Sequence, residues 1–195
     1  MSGILANYDS PKDKVASMVE HGDLVRLKRG LYCVSSHITG QRLSSELIAN
    51  HLHGPSYVSL ESALAFYNLI PERMAATQSV STTRAKMYQT PVGRFTYQTV
   101  PDDYYSVGIR LEQAEAGVTF MIATREKALC DLILLRSRLR ITSEKAMRAF
   151  MADYMRVDFS EIKNPDLGII DACLATHHKA TELRGLRKVM EYDCV

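Results

Sequence analysis

The sequence predicts an α+β fold, with a small N-terminal module over residues 1–38 and a larger unit over residues 39–195. Three observations carry that prediction. A single helix with a marked start and stop precedes a two-strand pattern. Between residues 76 and 123 the texture turns to short strands with hairpin signals. From Thr124 onward apolar residues recur at helical spacing. The elements do not alternate strand, helix, strand, so the expectation is a short-stranded antiparallel sheet followed by a helical C-terminal part.

Each element has a local reason. Ser10-Pro11-Lys12-Asp13 reads as a helix start, with Ser10 as N-cap, Pro11 at the first helical position and Asp13 in the first turn. That helix should reach His21 and stop at Gly22. Residues 24–28 and 31–34 alternate as strands around Arg29-Gly30. After a polar stretch at 35–41, helices are expected over 43–52, ended by Gly54-Pro55, and over 60–69, ended by Ile70-Pro71. Strands are expected over 77–83, 86–90, 94–100, 105–111 and 118–122, with a hairpin at Pro91-Val92-Gly93 and a second turn at 112–117. Thr124 opens a helix whose stripe is Ala128, Leu132, Leu135 and Leu139, widened by Leu129 and Ile133. Two or three further helices fill 143–192.

Composition excludes several classes. The chain has 195 residues, 46% of them hydrophobic, which rules out a disordered or collagen-like chain. No apolar run approaches the roughly 18 residues a membrane span requires, and residues 1–8 lack the features of a signal peptide. The expectation is a cytoplasmic protein. Cys33, Cys130, Cys173 and Cys194 lie far apart and outside any metal-ligand spacing, and read as free thiols. The formal charge is only +2, yet it is unevenly spread. Residues 125–156 hold eight Lys and Arg against four Asp and Glu, whereas residues 97–116 hold one Arg against four carboxylates.

On the first helix, Val15, Met18 and Val19 share the face expected to be buried. Lys14, Ser17 and His21 fall at i, i+3 and i+7 on another side. A helix entering a DNA major groove needs such a stripe of short polar or cationic groups. The hairpin behind it carries Arg26, Lys28 and Arg29, and in a winged helix a basic wing lies on phosphates. Lys12 stands near the helix start, within reach of a phosphate. The candidate DNA-binding set is therefore Lys12, Lys14, Ser17, His21, Arg26, Lys28 and Arg29. Arg136, Arg138, Arg140, Lys145 and Arg148 form a secondary basic face.

No constellation points to catalysis. There is no nucleophile elbow, P-loop or dinucleotide fingerprint. His51 and His53, and the adjacent His177 and His178, diverge on their elements and lack partners at ligand spacing, so no metal or cofactor is expected. Lys127 and Asp131 are i, i+4 neighbours and read as a surface ion pair worth a few tenths of a kcal/mol.

Five strings then occur in order: LVRLKRGLYCV at 24–34, YVSLESALAFYNLIPE at 57–72, SVSTTRAK at 79–86, TPVGRFTYQTV at 90–100 and IATREKALCDLILL at 122–135. In these the chain resembles the AbiEi-type antitoxins and transcriptional regulators of type IV toxin–antitoxin systems. The resemblance covers roughly residues 10–135, and departs where Arg125 stands in place of the family's frequent Pro. It implies an N-terminal winged helix that binds inverted repeats in double-stranded DNA of its own promoter. It also implies a C-terminal antitoxin domain, with a positive face toward DNA, that counteracts a nucleotidyltransferase-like toxin without a stable complex. With nine residues ahead of Ser10, the winged helix is expected to be truncated or to borrow support from the helices after Ser35. The alternative is a protein-interaction module whose degenerate winged helix binds a partner protein.

Overall fold

The computed structural model describes residues 8–72, 74–114, 117–137 and 139–193. Helix α1 spans Pro11–Glu20 and is followed by strands β1, Leu24–Lys28, and β2, Leu31–Val34. The pair is antiparallel, with Leu24 opposite Val34 and Lys28 opposite Leu31, and its register slips between Arg26 and Lys28. A short helix α2, Ser36–Thr39, forms within the polar stretch at 35–41, and α3 follows over Ser45–Leu52. Ser44 caps α3, its hydroxyl accepting from the Leu47 amide at 3.1 Å.

The larger sheet has six strands: β3 (Ser56–Val58), β4 (Thr77–Ser81), β5 (Lys86–Thr90), β6 (Gly93–Thr99), β7 (Ile109–Gln113) and β8 (Thr119–Ala123). Their order is β5-β6-β4-β3-β8-β7. The α+β class is as expected, but the sheet is mixed rather than wholly antiparallel. β3 runs parallel to β8 and β4 parallel to β6, while β3–β4, β5–β6 and β7–β8 are antiparallel. Helix α4, Leu60–Phe66, connects β3 to its antiparallel neighbour β4, and α5, Asp102–Tyr105, takes the start of the strand expected over 105–111, so that β7 begins only at Ile109. Pro101 and the acidic first turn of Asp102 and Asp103 favour that helical turn over strand.

Side-chain alternation assigns the two faces of the sheet. Tyr97 of β6 reaches α3, its hydroxyl donating to the Ala49 carbonyl at 2.6 Å. Tyr57 of β3 points the other way, to Asp131 on helix α6, Arg125–Leu135. Asn50 locks α3 to the sheet centre: its side chain accepts from the Met121 amide at 2.6 Å and donates to the Met121 carbonyl at 3.3 Å. The C-terminal part is helical as expected, with α7 (Glu144–Ala149) running into a π-helical turn (Phe150–Tyr154), then α8 (Leu167–Ala175) and α9 (Ala180–Asp193).

Helix α6 departs most from expectation. It does not present an apolar stripe; Glu126 through Ile133 are all buried. Lys127 and Asp131 are both fully buried, with Lys127 Nζ 3.3 Å from Asp131 Oδ1, so the expected surface pair lies in the core. The reason is long-range: Tyr57 and Ser59 hydroxyls donate to Asp131 Oδ2 at 3.0 and 2.6 Å. Lys127 Nζ donates to the Tyr104 carbonyl at 2.8 Å and lies 3.3 Å from the Tyr104 ring centroid. Gly108, at φ +62°, lets the chain pass over this cluster, since a Cβ there would meet Ile169 at 2.8 Å and Lys127 at 2.9 Å. Burial raises the Asp131 carboxyl, opposed by Lys127 and by the two hydroxyls. Leu27 of β1 belongs to the same continuous core, with Leu31 and Cys33 packed against it, so the N-terminal module is seated on the rest of the chain. Cys130 and Cys173 are buried free thiols and Cys33 is half-buried, whereas Cys194 lies outside the described residues.

Candidate nucleic-acid interface

Helix α1 starts at Pro11, as its sequence directs, but Ser10 does not cap it through its side chain. The Ser10 hydroxyl instead donates to Asp13 Oδ2 at 2.5 Å. The other end is a Schellman motif: the Asp23 amide donates to the Met18 carbonyl at 2.9 Å and the Gly22 amide to the Val19 carbonyl at 3.1 Å. Gly22, at φ +78°, supplies the left-handed residue that this stop requires. The junction is tied again by the Ser35 amide on the Asp23 carbonyl at 2.9 Å and by His37, 3.6 Å from the Asp23 carboxylate.

The seven candidate DNA-binding residues fall into two groups. Lys12, His21, Arg26 and Arg29 are exposed, while Lys14 and Ser17 are half-exposed. His21 folds back along its helix, with Nδ1 2.6 Å from the Ser17 carbonyl, and Lys14 lies 5.4 Å from the centre of the Tyr8 ring. Lys28 behaves differently. Its ammonium donates to the carbonyl of Leu52, the last residue of α3, at 2.5 Å, and lies 5.9 Å from the Tyr88 ring. A cation at a helix C-terminus meets the negative end of the dipole, so Lys28 fastens the hairpin to α3 and β5. It flanks the Arg29-Gly30 turn, opposite Leu31, but its ammonium is turned inward to α3.

That contact reveals a cation the sequence reading passed over. Lys86 on the edge strand β5 approaches the same Tyr88 ring at 4.9 Å and is itself exposed. The signal was present in the run Arg84-Ala85-Lys86, two cations at strand spacing, but nothing local joins it to a hairpin 55 residues earlier. The turn end of the hairpin and the β5 edge therefore meet at Tyr88, and Arg26 and Arg29 on the hairpin and Lys86 on the strand are exposed.

The secondary face is less uniform than its sequence. Arg136 is half-buried, donating to Glu61 Oε1 at 3.2 Å and to the Met155 sulfur at 3.1 Å. Arg140, Lys145 and Arg148 are exposed, Arg148 lying 3.6 Å from Glu144. Arg138 lies outside the described residues. A cleft of about 840 Å³ elsewhere is lined by Glu46, Glu72 and Asp158, and its cation Arg156 is paired with Glu72 at 3.0 Å. Its charge is wrong for phosphate. Among the described residues, no group of three or more His, Cys, Asp or Glu is placed to hold a metal ion, and no helix is long and apolar enough to cross a membrane. His53 is a packing residue, 2.7 Å from the Thr83 hydroxyl and edge-on to Tyr97 at 4.9 Å. No protein-family model matches the chain, and no curated protein matches it in sequence.

Proposed function

We propose that this chain is a cytoplasmic DNA-binding autorepressor and the antitoxin of a type IV toxin–antitoxin system, counteracting a nucleotidyltransferase-like toxin without a stable complex. One observation supports its DNA-binding part: Lys12, Arg26 and Arg29 are exposed on adjoining elements, a helix and the hairpin next to it. The antitoxin part extends the ordered sequence strings. In this reading α1 presents Lys14, Ser17 and His21 to base edges, and Arg26 and Arg29 lie on phosphates. Lys28 has a different task, holding the hairpin on α3.

The test is a salt titration of binding to duplex DNA from upstream of the gene, beside a scrambled duplex. Arg26→Ala with Arg29→Ala should weaken both complexes and reduce the salt slope by about two. Lys28→Ala should leave the slope unchanged and lower thermal stability instead. An unaltered slope in the double variant would remove the hairpin from the interface. A second reading, a partner-binding module with a degenerate winged helix, is favoured by the inward turn of Lys28, which leaves the hairpin one cation poorer. Under that reading the purified chain fails to distinguish upstream from scrambled DNA and binds the product of the adjacent gene.

A further inference from the structure

The π-helical turn at the end of α7 makes an arrangement that packing alone does not require. The Met155 amide donates to the Phe150 carbonyl at 2.9 Å, the i to i+5 bond of a π turn. This wide turn stacks the rings of Phe150 and Tyr154, with centroids 5.6 Å apart and planes 16° from parallel. The Arg136 guanidinium, fixed by Glu61 and Met155, lies 5.4 Å from the first ring and 5.1 Å from the second. Lys179 in turn fixes the end of α6, donating to the Arg136 and Leu139 carbonyls at 3.3 and 2.8 Å.

These residues border a groove of about 450 Å³ lined by Leu135, Arg136, Ser137, Leu139, Phe150 and Tyr154. Tyr154 is 67% exposed, so most of a large aromatic surface faces water on a rigid support. Arg140 and Lys145 are exposed on the segment of chain that joins the two sides of the groove, and add positive charge to that of Arg136. An open aromatic ring beside a guanidinium, within a cationic surface, matches the two demands of single-stranded nucleic acid: a stacking platform and charges for the backbone. Charge complementarity favours that occupant over a second copy of this cationic surface.

We infer that this groove binds single-stranded nucleic acid, with one base stacked on Tyr154 and the adjoining phosphates on Arg140 and Lys145. The site is separate from the α1 and hairpin surface, and its ligand differs from a duplex in presenting an unpaired base face. It does not depend on the repressor reading.

The experiment is fluorescence anisotropy of the full chain with a labelled ten-nucleotide oligothymidylate at low salt, beside a duplex and with polyglutamate as competitor. Tyr154→Ala should weaken single-strand binding by about tenfold or more, because loss of one stacked base has an effect of that order. Tyr154→Phe keeps the ring and should stay within about twofold of the wild type. Arg140→Ala with Lys145→Ala should reduce the single-strand salt slope by about 1.4. Duplex affinity should be unchanged by Tyr154→Ala, so failure here and failure of the repressor reading are distinguishable. The inference is overturned if the wild type does not bind the oligonucleotide or if Tyr154→Ala binds it as the wild type does. Displacement by polyglutamate with no difference between Tyr154→Ala and wild type would assign the surface to an acidic protein instead.

Discussion

Helices α1 and α6 both carry Lys and Asp or Glu among apolar residues, yet they meet opposite fates. In α1 no residue is buried; in α6 every residue from Glu126 to Ile133 is. The difference lies in what reaches them. Strand β1 is the chief neighbour of α1, whereas α6 receives Tyr57 and Ser59 from one side of the sheet and Tyr104 from α5. The same residue types thus make a solvated ridge in one place and a core network in the other. A count of cations along the chain does not separate them: the basic total of residues 125–156 includes Lys127, which solvent never touches.

The strongest way to break this comparison is to remove one half of the buried pair. Lys127→Met leaves Asp131 without its cation, and loss of one partner from a buried ion pair costs about 3–5 kcal/mol. Asp131→Leu should cost a similar amount, because it strands Lys127 and also removes the acceptor of two hydroxyls. The double variant should recover much of that loss, as apolar replacement of a whole buried pair is often close to neutral. Urea denaturation of the four proteins measures this directly. Small, additive losses would place the pair in water.

Raising the pH should strain the same core next. Burial pushes the Tyr57 phenol far above its ordinary value, with the Asp131 charge adding to the effect, and raises Tyr67 to about 12. In the unfolded chain these phenols ionise near pH 10, so above that pH the folded chain holds more protons than the unfolded one. Their contribution is therefore fully present below about pH 10 and is lost as the pH climbs through the raised folded values. Each retained proton lowers stability by up to about 1.4 kcal/mol per pH unit. Thermal melts at pH 8, 10 and 11, followed by circular dichroism, should show a steep fall across the last interval, and Tyr57→Phe should flatten it. An equal fall in that variant would remove Tyr57 as the cause.

Signals carried by neighbours in sequence were legible, and those carried by distant partners were not. Pro11 and Gly22 bound α1, and Thr124 caps α6 by accepting from the Lys127 amide at 3.2 Å. Strand β3 escaped because it has only three residues between Pro55 and Ser59, although it is the strand that joins β4 to β8. Its partner in β8, Ile122, lies beyond the range of any periodicity argument. The Lys127–Asp131 spacing was read as a surface pair because i, i+4 charges on helices face water in most settings. Only Tyr57 and Ser59, more than 70 positions away in sequence, make it a core pair. In the interface the basic hairpin was legible, while the inward turn of Lys28 was not, since its acceptor is 24 residues away.

The smallest expected effects lie in α1, and they sharpen what a lightly packed helix depends on. Burying a Met fully is worth several kcal/mol, but Met18 is only half-buried, so Met18→Ala should cost less than about 1 kcal/mol. Gly22→Ala should cost at least as much despite removing nothing, because φ +78° burdens any Cβ by about 1–2 kcal/mol. The space there is not the obstacle, the nearest atom being His37 Cε1 at 3.9 Å from a built Cβ. Urea midpoints for the two variants test the ranking. A larger loss for Met18→Ala would mean that α1 is held by its buried face. A larger loss for Gly22→Ala means that its C-terminal stop, more than its half-buried face, holds the helix in place.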